Sequence, residues 1–183
     1  LLENINQSTT IEFKGAGDFI VTLGALNGCL GGSEYLRTIH GKIQGPIPHL
    51  NLELEMGIQE LCLEAIKKGI IKSAHDLSDG GLAVNISESI VHSKQGLGAR
   101  LDVVRKLQNN ELLFGECQSV IVVTLEESAL YELILLAQKL DMHTQTIGRV
   151  TDTNSLVIND QINISRIKME NAYFNSLEKI MTQ

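Results

Sequence analysis

The chain predicts an α+β fold with a mixed sheet, and three features carry that expectation. Short apolar runs rich in β-branched and aromatic residues alternate with segments of helical spacing. The 183 residues, 43% hydrophobic and 20% charged, suit a single domain able to bury roughly 70% of the surface its unfolded form exposes. No internal repeat and no low-complexity segment interrupts the pattern.

Residues 18–23 (Asp-Phe-Ile-Val-Thr-Leu) read as a buried strand. A glycine-rich passage over 24–32 leads into a short helix over 33–40. Ser33 is its N-cap, and Glu34 sits in the first turn, where a carboxylate meets the positive end of the helix dipole. Gly45-Pro46-Ile47-Pro48 holds both prolines and breaks the chain. Helical signals resume at Leu52 or Glu53 and run to Lys68, with Gly69 as C-cap. A strand over 70–74 and a helix over about 81–92 follow. Residues 96–102 read as an edge strand after a flexible turn, and 109–114 as a short helix or loop. The second half is clearer: a strand over 119–125, then a helix over 127–140 with Leu130, Leu133, Ile134 and Ala137 on one stripe. Strands over 144–150 and 155–158 flank the Asp152-Thr153-Asn154 turn, 163–167 adds a short strand, and 170–181 forms a terminal helix. The expected division is one domain over 1–183, with a lead-in over 1–16, a core over 17–168 and the terminal helical segment over 169–183.

Composition excludes several classes of function. A net charge of −7 argues against a nucleic-acid partner, which needs clustered Lys and Arg to neutralise phosphates. Lys67, Lys68 and Lys72, the densest basic group, read as a solvated helix face and its exit. No apolar stretch approaches the ~20 residues that cross a bilayer, so no membrane partner is expected. Cys29, Cys62 and Cys117 are odd in number and lack CxxC spacing, which predicts reduced thiols in a cytoplasmic protein. The opening Leu1-Leu2-Glu3-Asn4, with no initiator Met, suggests a piece of a longer polypeptide.

The most informative segment runs Ser-Ala-His-Asp-Leu-Ser-Asp-Gly-Gly-Leu-Ala from Ser73 to Ala83. Between a strand and a helix it gathers His75, Asp76, Ser78, Asp79, Gly80 and Gly81. Glycines let backbone approach a ligand, and the first helical amides are unpaired donors to an anion. Carboxylates repel phosphate but can hold it through Mg²⁺, which takes hard oxygen ligands. The structural alternative is that Ser78 or Asp79 caps the helix and Gly80-Gly81 make the turn.

Two further segments join this one. Gly31-Gly32-Ser33-Glu34-Tyr35-Leu36, followed by Ile39-His40-Gly41, lies upstream, and Phe114-Gly115-Glu116-Cys117-Gln118-Ser119 precedes the apolar run Val120-Ile121-Val122-Val123. In order and spacing the three resemble the last domain of the phosphoribosylformylglycinamidine synthase family, within the aminoimidazole ribonucleotide synthetase superfamily. The resemblance spans nearly the whole chain, from Gly17-Asp18 to about Gly148-Arg149-Val150. It implies a three-layer α/β/α domain of the superfamily's C-terminal type, with a partly ferredoxin-like arrangement. It also implies a purine-biosynthesis ligase that uses ATP, Mg²⁺ and glutamine-derived ammonia to convert formylglycinamide ribonucleotide to the amidine.

The implied partners are other domains of the same polypeptide and a glutaminase domain or subunit, with a homodimer left open. The family's catalytic histidine and main ATP ligands lie in other domains, so no catalytic residue is expected here and the isolated chain is expected to be inactive. Asp76 matches a magnesium ligand of the family's companion domain, against a local hydrogen-bonding role as the alternative. The later copy of the domain, which this chain resembles, carries an auxiliary nucleotide site of largely structural role. Glu116 and Gln118 match a Glu-Ser-Gln stretch that contacts substrate in the companion domain. Cys117 stands where Ser is usual, and a thiol donates hydrogen bonds weakly. The family's glutamine-hydrolysing cysteine belongs to the glutaminase, so Cys117 is not expected to be a nucleophile. Gly32 and Ser33 form either a phosphate-cradling turn or a domain interface. His75 has a better claim to a site than His40. The alternative for the whole chain is a non-catalytic structural or regulatory nucleotide-binding module.

Overall fold

The computed structural model describes residues 4–94, 96–103 and 107–181. Positions 1–3 of the expected lead-in and 182–183 of the expected terminal segment lie outside them. In chain order the elements are β1 (Phe19–Leu23), α1 (Glu34–His40), α2 (Leu52–Lys67), β2 (Ser73–Asp76), α3 (Gly81–Val91) and β3 (Gly98–Leu101). There follow α4 (Asn109–Phe114), β4 (Ile121–Leu125), α5 (Leu130–Lys139), β5 (Thr144–Thr151), β6 (Ser155–Ile158), β7 (Ile162–Ser165), α6 (Arg166–Phe174) and α7 (Ser176–Met181).

The strands form one seven-stranded sheet in the order β2-β4-β1-β5-β3-β6-β7. The described pairings are antiparallel except β3 with β6, so the sheet is mixed as expected. Within it β1, α2, β2, β4, α5 and β5 make a ferredoxin-like βαββαβ unit. The segment α3-β3-α4 is inserted between β2 and β4.

Side chains alternate across each strand, so neighbouring residues serve opposite cores. Val21, Leu23, Val123 and Leu125 pack with Ile58 and Leu61 of α2 and Leu133 of α5. Ile20 and Val122 turn the other way, toward Leu82, Ile86 and Ile90 of α3, Leu112 of α4 and Met169 of α6. Helices on both faces explain why the central strands read as continuous apolar runs rather than alternating ones. The result is the expected α/β/α layering.

Several boundaries move. The strand expected over 70–74 lies at Ser73–Asp76. Ile70 and Ile71 are buried in the connection from α2, their apolar character serving the core. The strand expected from 119 starts at Ile121, because Ser119 takes a left-handed backbone with φ 57°. The expected edge strand β3 is interior, between β5 and β6. Glycines allow it: a Cβ at Gly98 would stand 2.7 Å from Ser155 N, and one at Gly148 would stand 2.8 Å from Leu101 Cα. Residues 109–114 are a helix, with the Glu111 carboxylate accepting from Gln108 N at 3.1 Å. The single terminal helix is two, α6 starting at Arg166 and ending before Asn175.

Candidate functional site

The three segments singled out in the sequence meet on one side of the sheet. Passage 24–33 runs along the turn 115–119, and contacts between them recur down its length. Gly24 approaches the Ser119 backbone so closely that a Cβ there would stand 3.2 Å from Ser119 C. The Asn27 and Gly28 amides both point at Cys117 Sγ, at 3.3 Å, and Glu116 N donates to Cys29 O at 2.8 Å.

Glu116 ties the arrangement together. Its Oε1 accepts from Glu34 N, the first residue of α1, at 2.8 Å and from Gly80 N, immediately before α3, at 2.9 Å. One carboxylate oxygen thus satisfies donors at the starts of two helices, where the macrodipoles favour negative charge.

This corrects the structural alternative for the key turn. Neither Ser78 nor Asp79 caps α3; the N-cap position is Gly80, which has no side chain to offer. Gly80 and Gly81 have φ 80° and 65°, and a Cβ on Gly81 would stand 2.7 Å from Phe114 C and 2.8 Å from Gly115 O. With glycine at the cap position, the acceptor at the start of α3 comes from elsewhere in the chain, the Glu116 carboxylate bonded to Gly80 N. The Ser78 carbonyl closes the turn by accepting from Gly81 N at 3.1 Å.

Ser33 is the expected N-cap, fully buried, its Oγ accepting from Leu36 N at 3.3 Å. Gly32 beside it is exposed at φ 73°, and a Cβ would meet open space. Cys117 is buried, its Sγ facing the Asn27 and Gly28 amides, and among the described residues it makes no hydrogen bond to a histidine. His75 Nε2 lies 3.4 Å from Glu88 Oε2, while its Nδ1 is buried without a partner among the described residues.

The two aspartates of the turn face different clefts. Asp79 and Gly80 line a cleft of about 540 Å³ with Glu34, Tyr35, Arg37 and Phe114. There Tyr35 and Phe114 stack at 5.0 Å, and Glu34 grips the Arg37 guanidinium at 2.5–3.0 Å. That hydrogen bond holds the Glu34 carboxyl below its ordinary range and raises Arg37. Asp76, at the exposed end of β2, instead lines a cleft of about 320 Å³ with Glu55, Gln59, Gln118 and Ser119.

Among the described residues no three His, Cys, Asp or Glu side chains gather into a metal cage. An exposed Asp76 carboxylate still fits Mg²⁺, which commonly takes one or two carboxylates and completes its shell with water and phosphate. Two participants escaped sequence reasoning. Glu55 sits among Glu53, Glu60 and Glu64 on α2 and reads as solvated surface, and the Tyr35–Phe114 stack joins residues with no local signal linking them.

The family model described as AIR synthase related protein, C-terminal domain, matches residues 15–161. The chain belongs to this family. Among curated relatives of the AIR synthase related domain, the phosphoribosylformylglycinamidine synthase subunit PurL of Alkaliphilus metalliredigens is 47% identical over 126 residues. That match covers 69% of this chain and 17% of the relative. The corresponding subunit of Caldanaerobacter subterraneus is 35% identical over 158 residues, covering 86% and 21%. The chain therefore spans about a fifth of the length of these relatives.

Solved structures show the same fold. Thermotoga maritima PurL complexed with FGAR superposes at TM-score 0.73 with 20% identity, covering 90% of this chain and 30% of that one. The same protein complexed with ATP gives 0.70 at 17% identity, covering 90% and 27%. A thiamine-monophosphate kinase from Stenotrophomonas maltophilia gives 0.56 at 19% identity, covering 83% and 53%.

Proposed function

We propose that the chain acts as the AIR-synthase-related domain of a phosphoribosylformylglycinamidine synthase, contributing one wall of a nucleotide or substrate site. The observation that carries this reading is the convergence of three family-matching segments, 31–36, 75–81 and 114–119, around Glu116, in a chain 47% identical to a PurL subunit over 126 residues. The reaction is the ATP-dependent conversion of formylglycinamide ribonucleotide to its amidine. The substrate's amide oxygen attacks the terminal phosphorus of ATP and ADP leaves. Ammonia released from glutamine then adds to the activated carbon, a proton is lost, and phosphate departs with the former amide oxygen. Bound Mg²⁺ supplies charge neutralisation on the phosphates during transfer.

Within that chemistry this chain binds and orients. The exposed Asp76 carboxylate offers an oxygen to the metal, and the exposed Gln118 amide offers a donor and an acceptor to the ligand from the same cleft. Glu116 acts through geometry: its Oε1 fixes the turn beside both groups. Asp79, Ser78 and Gly32 are exposed at the adjoining cleft and turn, where another domain or a phosphate can reach them. One carboxylate supplies only part of a metal shell, so the remaining ligands come from phosphate, water or companion domains. A glutaminase domain or subunit supplies ammonia.

No helix among the described residues is long and apolar enough to cross a membrane; a cytoplasmic location belongs to the proposal through the purine-synthesis role alone. The test is an assay of the purified chain with ATP, ammonia and formylglycinamide ribonucleotide, beside a longer synthase polypeptide carrying this domain. The expected result is turnover by the longer polypeptide and none by the chain above a heat-killed control. Steady turnover by the chain alone contradicts the supporting role.

A further inference from the structure

The turn that carries Gln118 is held from both sides. On one side Gly24 lies against the backbone of Ser119, a residue in the left-handed region at φ 57° that is 8% exposed. On the other, Ser119 Oγ donates to Glu55 Oε2 at 2.6 Å. Glu55 is itself held: its Oε1 accepts from Gln59 Nε2, one helical turn on, at 2.7 Å. A non-glycine residue persists at positive φ only where its surroundings over-determine it. Here the over-determining contact is a charge-assisted hydrogen bond from a helix 64 residues away in sequence. The same carboxylate borders the cleft onto which Asp76 and Gln118 open.

We infer that Glu55 is a positioning residue: by fixing Ser119 it holds the turn that places Gln118 in the cleft that Asp76 also lines. Its role in ligand binding rests on the function proposed above, whereas its hold on the turn stands on geometry alone. The hydrogen bond needs an acceptor, not a charge, so glutamine at position 55 retains part of the function and alanine none. Deletion of Ser119 Oγ and deletion of the Glu55 carboxylate both remove the bond that holds the turn; the second also frees Gln59, which lies on α2 and outside the turn.

The experiment has two readouts. In the 183-residue chain, amide hydrogen exchange is followed in peptides covering 115–121 for wild type, Glu55→Ala, Glu55→Gln, Ser119→Ala and the Glu55→Ala/Ser119→Ala pair. Glu55→Ala and Ser119→Ala each accelerate exchange there about tenfold or more, the pair does no more than either alone, and Glu55→Gln falls between. Unchanged exchange in Glu55→Ala, or additive effects in the pair, overturns the inference whatever the enzyme does.

In a longer synthase polypeptide carrying this domain, Mg-ADP retained after gel filtration and the KM for ATP are measured with Asp76→Asn and Gln118→Ala as references. Glu55→Ala loses retained nucleotide or raises KM about three- to tenfold with kcat within twofold, following Gln118→Ala, and Glu55→Gln restores most of it. If the references respond and Glu55→Ala does not, the positioning role is overturned while the proposed function stands. If Asp76→Asn and Gln118→Ala are themselves silent, the proposed function fails at this cleft, and with it the ligand-binding role of Glu55; the exchange data then decide the hold on the turn.

Discussion

Single glycines carry the turns before α1 and α3 in two different ways, and substitutions separate them. Gly81 needs both a positive φ and the absence of a Cβ, since its neighbour is the backbone of Phe114 and Gly115. Gly32 needs only the positive φ, since a Cβ there meets open space. Gly81→Ala is therefore expected to cost about 3 kcal/mol or more, combining backbone strain with overpacking, and Gly32→Ala about 1 kcal/mol. Urea denaturation of the two variants checks the ordering, and equal losses contradict it.

Titrating groups set the pH limits of the same molecule. Burial raises the Glu12 pKa, but bonds from Lys14, Thr10 and its own backbone outweigh it and bring the carboxyl from 4.5 to about 2. A depressed carboxyl contributes stability that is complete above pH 4.5 and lost as pH falls toward the folded value. Burial pushes the Cys62 thiol from 9.0 up to about 11. The Lys72 amine is pushed down by burial, yet its bonds to Asp18 and Glu126 leave it above 10.5. Raised groups contribute stability present below the unfolded value and lost above it. Urea midpoints are expected to be lower at pH 3.5 and at pH 10 than at pH 7; a midpoint at pH 10 equal to that at pH 7 contradicts the assignment for Cys62.

At the scale of elements, α1 and α3 are joined through Glu116 rather than through a packed helix interface. Glu116→Ala leaves the Glu34 and Gly80 amides without their acceptor. It is expected to cost about 2 kcal/mol, with Glu116→Gln losing less because its amide oxygen still accepts. Thermal unfolding of the two variants measures the difference, and an unchanged melting temperature in Glu116→Ala excludes the double cap. The elements themselves were legible where periodicity is strong, though not to their ends: the strand expected over 119–125 lies at Ile121–Leu125, and the helix expected over 127–140 lies at Leu130–Lys139 after a 3-10 turn over Glu127–Ala129. Sheet order was not legible. Gly98 and Gly148 look like marks of a weak edge strand, yet they are what lets β3 sit between β5 and β6. The site was half legible. Glycines, carboxylates and amides in 31–36, 75–81 and 114–119 stood out locally, while the bonds that join them span 36 and 82 residues. Glu55 gave no local signal, because an acidic residue on a solvated helix face is the commonest kind of surface.

At the scale of the whole molecule, the layers place everything chemical at one end of β2 and β4. There Asp76 pairs with Ile121 in the ladder, and the 115–119 turn enters β4. The opposing cores under α2 and α3 make that end rigid, so a charge-neutralising change at Asp76, exposed and outside both cores, leaves the fold intact. The most direct measurement is Asp76→Asn in a longer synthase polypeptide carrying this domain, with turnover, retained nucleotide and ligand-free melting temperature recorded together. Turnover or nucleotide retention is expected to fall by about tenfold or more while the melting temperature stays within a degree or two. A lowered melting temperature with turnover and retention unchanged would show that the turn at Asp76 serves the fold alone.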